Sequence, residues 1–190
     1  CLNIIFSINL PNIVLSLCKN NFILGKREGV RNVVVNQRVF LAEVAQDLVA
    51  NTSALNIDLK SFDETYYKKV LRGSLKTVLN NIEFCIKAGL WVEVTTLLVQ
   101  GINDNDESIG QMARYFANRF GKNVPWHFSA FYPNYKMLDT PSTPIDTLQR
   151  AKNIAKNEGI KYIYLGNVGL NQNTLCPKCS EIAFKREGRA

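Results

Sequence analysis

One histidine, two methionines and two tryptophans are spread over 190 residues. The five cysteines, Cys1, Cys18, Cys85, Cys176 and Cys179, are odd in number, and only Cys176 and Cys179 are close together. That pattern excludes a secreted disulfide framework and predicts a cytoplasmic protein with reduced thiols. Long hydrophobic runs are missing too. The apolar start "CLNIIFSINLPNIVLSLC" is interrupted by Asn9, Pro11 and Asn12 and has no basic leader, so neither a signal peptide nor a membrane span fits. A lipoprotein beginning at Cys1 would continue into a polar linker, which the sequence does not contain. With no initiator methionine, the chain is expected to be part of a longer one. Basic residues do not interleave with aromatics, and zinc-finger spacing does not occur. The net charge of +7 is therefore read as solubility or attraction for an anionic ligand, and nucleic acid is not an expected partner.

What is present is core-forming. At 46% hydrophobic content, the chain can bury a real core as one domain. Strand-like and helix-like segments alternate: "NIIFSI", a helix ending near Glu28-Gly29, "RNVVV", the helical "FLAEVAQDLVAN", and "ALNIDL". Then come helices in "DETYYKKVL" and "LKTVLNNIEFCIKAGL", and the β-branched "WVEVTTLLV". A helix in "NDNDESIGQMARYFANRF" has acidic residues at its start; "PWHFSAF" follows, then a helix in "TPIDTLQRAKNIAKNEG" with proline in its first turn, and "KYIYLGN". Val/Ile-rich strands separated by helices predict right-handed βαβ crossovers in an α/β protein. Five or six βα units make either a doubly wound sheet or a partial parallel (β/α) barrel. Both bind ligands at the carboxyl ends of the strands. The division expected is residues 1–168 for the α/β part and 169–190 for a small Cys-x-x-Cys tail.

Several residues at the strand ends are candidates for a site. Asp58 and Lys60 share a face if the strand stays extended, because the strand period is two. Together they make either a clamp for an amino-acid zwitterion or an ordinary rim ion pair. Gly101, in "LLVQGINDND", either lets a flat ligand approach the backbone or makes a simple turn before a helix. Tyr132, Tyr135 and Lys136, just past a strand, are ligand contacts or rim packing. His127, on the aromatic "WHFSAFY", reads as a packed residue rather than a catalyst. Cys18 and Cys85 read as small buried thiols. Cys176 and Cys179 form one C-x-x-C, half of a zinc or iron site that needs further ligands from elsewhere.

Taken together, "NIDLKSF", "WVEVTTLLVQGINDND", "VPWHFSAFYPNYKM", "TPIDTLQRAKNIAKNEGIKYIYLGN" and "NTLCPKC" resemble the radical S-adenosylmethionine (SAM) proteins. The resemblance is to relatives of the pyruvate formate-lyase activating enzymes, namely the radical SAM proteins of the AmmeMemoRadiSam system. It implies a partial (β/α) barrel and a [4Fe-4S] cluster on a C-x-x-x-C-x-x-C loop. At that cluster SAM is cleaved to a 5′-deoxyadenosyl radical that abstracts a substrate hydrogen. It also implies that Asp58 and Lys60 contact the methionine part of SAM, that Val99, Gly101 and Ile102 lie along the adenine, and that Tyr132 faces the ribose or substrate. SAM is the partner implied, with a protein substrate as a second one. The sequence departs from the family pattern in three ways. No C-x-x-x-C-x-x-C occurs; Leu10 stands where the family has a Glu for the SAM ammonium; and Asn36-Gln37-Arg38 replaces a Thr-Asn-Gly. The expectation is a C-terminal portion, or a degenerate copy, of a radical SAM enzyme that generates a substrate or glycyl radical, inactive as this chain stands. The alternative is a non-catalytic SAM- or nucleotide-binding barrel, or a scaffold, with a metal-binding knuckle.

Overall fold

A computed structural model describes residues 3–8, 12–36, 46, 49–170 and 172–186. Leu10, Gln37 and Arg38 lie outside the described residues, as do the side chains of Cys18 and Asn36. The chain divides into two compact units, Cys1–Val94 and Thr95–Ala190.

In the first unit, β1 (Asn3–Ile8), β2 (Arg31–Asn36) and β3 (Ala54–Asp58) lie side by side in sequence order. Both pairings are parallel, Ile5 opposite Val33 and Val35 opposite Asn56. Each crossover carries helix, as a parallel connection requires. The first is α1 (Asn12–Arg27), which ends in Lys26 and Arg27, cations suited to the negative end of a helix. Of "FLAEVAQDLVAN" only Gln46 and residues 49–51 are described, and they are helical. Strand β3 alternates half-buried and buried residues, with Leu55 and Ile57 inward. Two helices follow it, α2 (Glu64–Lys69) and α3 (Leu75–Lys87). Asp63 caps α2, its carboxylate accepting from Thr65 N at 2.6 Å, and Ser74 caps α3 by accepting from Thr77 N at 3.3 Å. On α3, Val78, Leu79, Ile82 and Cys85 recur at helical spacing and are all buried.

Strand β4 (Trp91–Leu98) crosses the boundary between the units, and its later residues belong to the second. There the order is β4, then β5 (Trp126–Ala130), then β6 (Ile163–Gly166), with β5 and β6 parallel. Helix α4 (Asp106–Tyr115), capped by Asn105, runs into one π-helical turn, Phe116–Phe120. That turn delivers Phe116 onto Trp126, stacked at 4.4 Å between centroids. The Trp126 indole N–H donates to Thr96 Oγ1 at 2.9 Å, so both are buried and satisfied. Helix α5 (Ile145–Asn157) starts from Pro144, which takes the N-cap position rather than one in the first turn, and ends at Gly159 with φ of 87°. The tail forms a separate antiparallel pair, β7 (Thr174–Leu175) and β8 (Ile182–Phe184). Among the described residues no helix is long and apolar enough to cross a membrane.

Candidate functional site

The first unit's candidate site grows out of the carboxyl end of β3. Alternating burial continues past the strand, with Leu59 fully buried between Asp58 and Lys60. That alternation puts both charges on one face, and Lys60 Nζ stands 3.5 Å from Asp58 Oδ2. The two side chains are 34% and 18% exposed, so this is a partly desolvated pair rather than a solvated rim contact. Burial raises the Asp58 carboxyl above its ordinary range, and Lys60 only partly offsets that shift. A carboxylate held in this way gains from a further cation, and the ammonium beside it gains from a further anion. The arrangement therefore fits both ends of an amino-acid zwitterion.

Tyr67 sets the backbone of this site, a role the sequence reading missed. From α2 its buried phenol accepts the N–H of Lys60 at 3.0 Å and also takes a backbone bond from Ser61. Burial pushes that phenol up to about 12, so it stays protonated, with a hydrogen left to donate. Seven residues separate Tyr67 from Lys60, and the intervening Asp63 cap makes that bend possible. A D-x-x-x-Y run after a strand is the only sequence signal that pointed there.

In the second unit, the loop after β4 holds Val99, Gly101 and Ile102. Asn103 knits it together: its Oδ1 accepts from Val99 N at 2.7 Å and its Nδ2 donates to Leu97 O at 2.9 Å. Asn103 is 1% exposed, so its amide serves the loop backbone. Gly101 has φ of 75° and donates its N–H to Asp104 Oδ1 at 2.8 Å, so it lies in a turn. Thr143 braces the same strand end. Its hydroxyl donates to Leu98 O at 2.6 Å and accepts from Phe131 N at 3.0 Å. Neither Asn103 nor Thr143 stands out in the sequence, because each acts on backbone atoms.

Tyr132 is half exposed, and its hydroxyl donates to Asn167 O at 2.8 Å. Asn167 adopts φ of 57° and donates its side-chain amide to Ala130 O at 3.0 Å. The phenol thus ties the loop after β5 to the loop after β6. Tyr135 and Lys136 are exposed and face each other, the ammonium 5.5 Å from the ring centroid. His127 stacks on Tyr164 at 5.1 Å, a packed residue as expected. Cys85 is fully buried, and burial raises its thiol to about 11, well away from a reactive state.

The family cluster needs three cysteines in one loop. The 190-residue sequence holds no C-x-x-x-C-x-x-C, and among the described residues no three His, Cys, Asp or Glu side chains converge. These residues do not fit a [4Fe-4S] cluster of that kind.

The architecture is that of an α/β partial parallel barrel. Residues 4–116 match the radical SAM superfamily, and the chain belongs to that superfamily. It is 35% identical over 188 residues to an uncharacterized protein of Methanocaldococcus jannaschii, covering 98% of this chain and 56% of the relative. The chain thus spans about half the length of that relative. Its fold is similar to a domain of a pyruvate-formate lyase-activating enzyme from Bacteroides vulgatus, at a TM-score of 0.72 and 18% identity, covering 88% of this chain and 100% of the other. It is also similar to Streptococcus suis SuiB in a structure bound to S-adenosylmethionine. That match has a TM-score of 0.65 and 8% identity, over 87% of this chain and 38% of SuiB. These likenesses bear out the expected partial (β/α) barrel fold.

Proposed function

We propose that this chain contributes a SAM-recognition element of a radical SAM enzyme, with Asp58 and Lys60 as its contacts to the methionine end of SAM. The observation that carries this reading is the partly buried Asp58–Lys60 pair at the carboxyl end of β3, its backbone held by Tyr67. The Asp58 carboxylate would accept from the substrate ammonium, and Lys60 would face the carboxylate, each interaction charge-assisted and partly desolvated. Val99, Gly101, Ile102 and Tyr132 are proposed contacts for an adenine and a ribose on the strength of the resemblance. The turn at Gly101 and the Tyr132 bond to Asn167 are compatible with that role. A protein substrate is the proposed second partner.

In an intact family member the [4Fe-4S] cluster supplies the electron that cleaves SAM. This chain holds no three-cysteine loop for it, so alone it is proposed to bind SAM without forming 5′-deoxyadenosine. Calorimetric titration of the chain with SAM tests the reading. Asp58→Asn and Lys60→Met should each weaken SAM about tenfold, the effect of one charge-assisted bond. S-adenosylhomocysteine keeps the same α-ammonium and α-carboxylate and should weaken in parallel. Unchanged SAM affinity in both variants would remove the clamp from the site. Dithionite-dependent 5′-deoxyadenosine from the chain after anaerobic iron and sulfide treatment would overturn the proposed inactivity.

A further inference from the structure

Outside the strand-end residues, the described part of the molecule holds one pair of neighbouring thiols, Cys176 and Cys179. They lie on the loop of the β7–β8 hairpin, and backbone bonds fix that loop. Cys176 N donates to Glu181 O at 2.8 Å, and Ser180 N donates to Cys176 O at 2.8 Å. Pro177 presets the first bend, and Ser180 turns the chain with φ of 60°. The Cys179 sulfur is exposed and 3.8 Å from Glu181 Oε2.

The hairpin is braced rather than loose. The Tyr164 and Thr174 hydroxyls bond at 2.8 Å, and Arg186 N donates to Asn173 Oδ1 at 2.9 Å. The Arg186 guanidinium lies 4.7 Å from the Tyr164 ring centroid and 5.7 Å from that of Phe184. Two free thiols are thus presented at a rigid, solvent-accessible turn. Strand β8 follows the pair, where a redox C-x-x-C has a helix start to stabilise its thiolate.

We propose that Cys176 and Cys179 form a knuckle that binds a thiophilic divalent metal ion of the zinc class as two of its ligands. Both thiols release their protons on binding, and the ion keeps its charge state throughout. Its remaining positions fall to water or to donors beyond this hairpin. The site is independent of the SAM reading, and either can fail without the other.

The test is a Co²⁺ titration of the full chain under reducing conditions, followed by Zn²⁺. A thiolate-to-cobalt charge-transfer band should appear and then be displaced by zinc. Serine at both positions (Cys176→Ser with Cys179→Ser) should abolish the band and weaken zinc binding by about 100-fold. The variant's circular dichroism should match the wild type, since the hairpin backbone bonds do not use the sulfurs. Zinc should raise the melting temperature of the wild type only. Equal cobalt binding by variant and wild type overturns the proposal. So does a wild type that shows no cobalt band and cycles instead through a Cys176–Cys179 disulfide, counted with a thiol reagent.

Discussion

At the scale of single residues, Asp58 carries two opposed demands. Its carboxyl is raised by burial, so the folded state holds its proton more tightly than the unfolded chain does. For a group raised in this way, the stabilising contribution is complete below the unfolded value, near 3.8. It is lost as the pH climbs through the raised folded value. At neutral pH the ionised carboxylate is therefore a net burden on folding, which Lys60 only partly relieves. Asp58→Asn keeps the shape and removes the charge. In thermal melts it should be more stable than the wild type at pH 7, and the gain should vanish near pH 3. The same variant binds SAM more weakly in the proposal above, so stability and ligand affinity should move in opposite directions. A variant less stable than the wild type at pH 7 would show that the ion pair outweighs the burial.

At the scale of elements, two helical glycines look alike in the sequence and differ in the fold. A Cβ at Gly25 in α1 would stand 2.7 Å from Asn32 Oδ1 on β2. Asn32 cannot easily yield, because its Nδ2 donates to Phe22 O at 2.7 Å and Asn51 O at 2.8 Å. A Cβ at Gly110 in α4 would meet the flexible end of Arg114 at 3.4 Å and Ile154 only at 4.0 Å. Alanine ordinarily gains about 1 kcal/mol over glycine inside a helix. Gly110→Ala should realise most of that gain. Gly25→Ala should instead destabilise, by about 1–3 kcal/mol in the range for overpacking. Urea melts of the two variants decide the matter, and a shared sign would mean that α1 is not seated on Asn32 as described. Much of the element order was legible beforehand, because Val- and Ile-rich runs and capping residues are local signals. "RNVVV", "ALNIDL" and "WVEVTTLLV" all fall within or overlap strands. The π-helical turn at Phe116–Phe120 was not legible, since its cause is the seat it gives Phe116 on Trp126. The site was half legible for a similar reason. The Asp58–Lys60 spacing is a period-two signal, but Tyr67, Asn103 and Thr143 act on backbone atoms up to 45 residues away. Residue identity alone carries no trace of such a partner.

At the scale of the whole molecule, the charge works against the proposed ligand. The chain carries a net +7, and SAM at neutral pH bears one net positive charge from its sulfonium and ammonium. Diffuse repulsion from many surface cations and local attraction to one carboxylate then act on the same molecule. They differ in how salt affects them. Interactions among exposed charges are screened over about 10 Å at 0.1 M ionic strength, whereas partly buried pairs are screened much less. Asp58, at 18% exposure, belongs to the second kind. Raising salt should therefore remove the repulsion first, and SAM affinity should hold or strengthen between low and moderate ionic strength. A polyanion attracted by the same +7 would do the opposite. Any association with a short single-stranded RNA should weaken steeply over that range, as counterion release demands. Equilibrium dialysis of labelled SAM and of labelled RNA across one salt series separates the cases. SAM affinity that falls as steeply as that of the RNA would mean that the ligand sits among exposed surface charges. The half-buried carboxylate at the end of β3 would then not be its anchor.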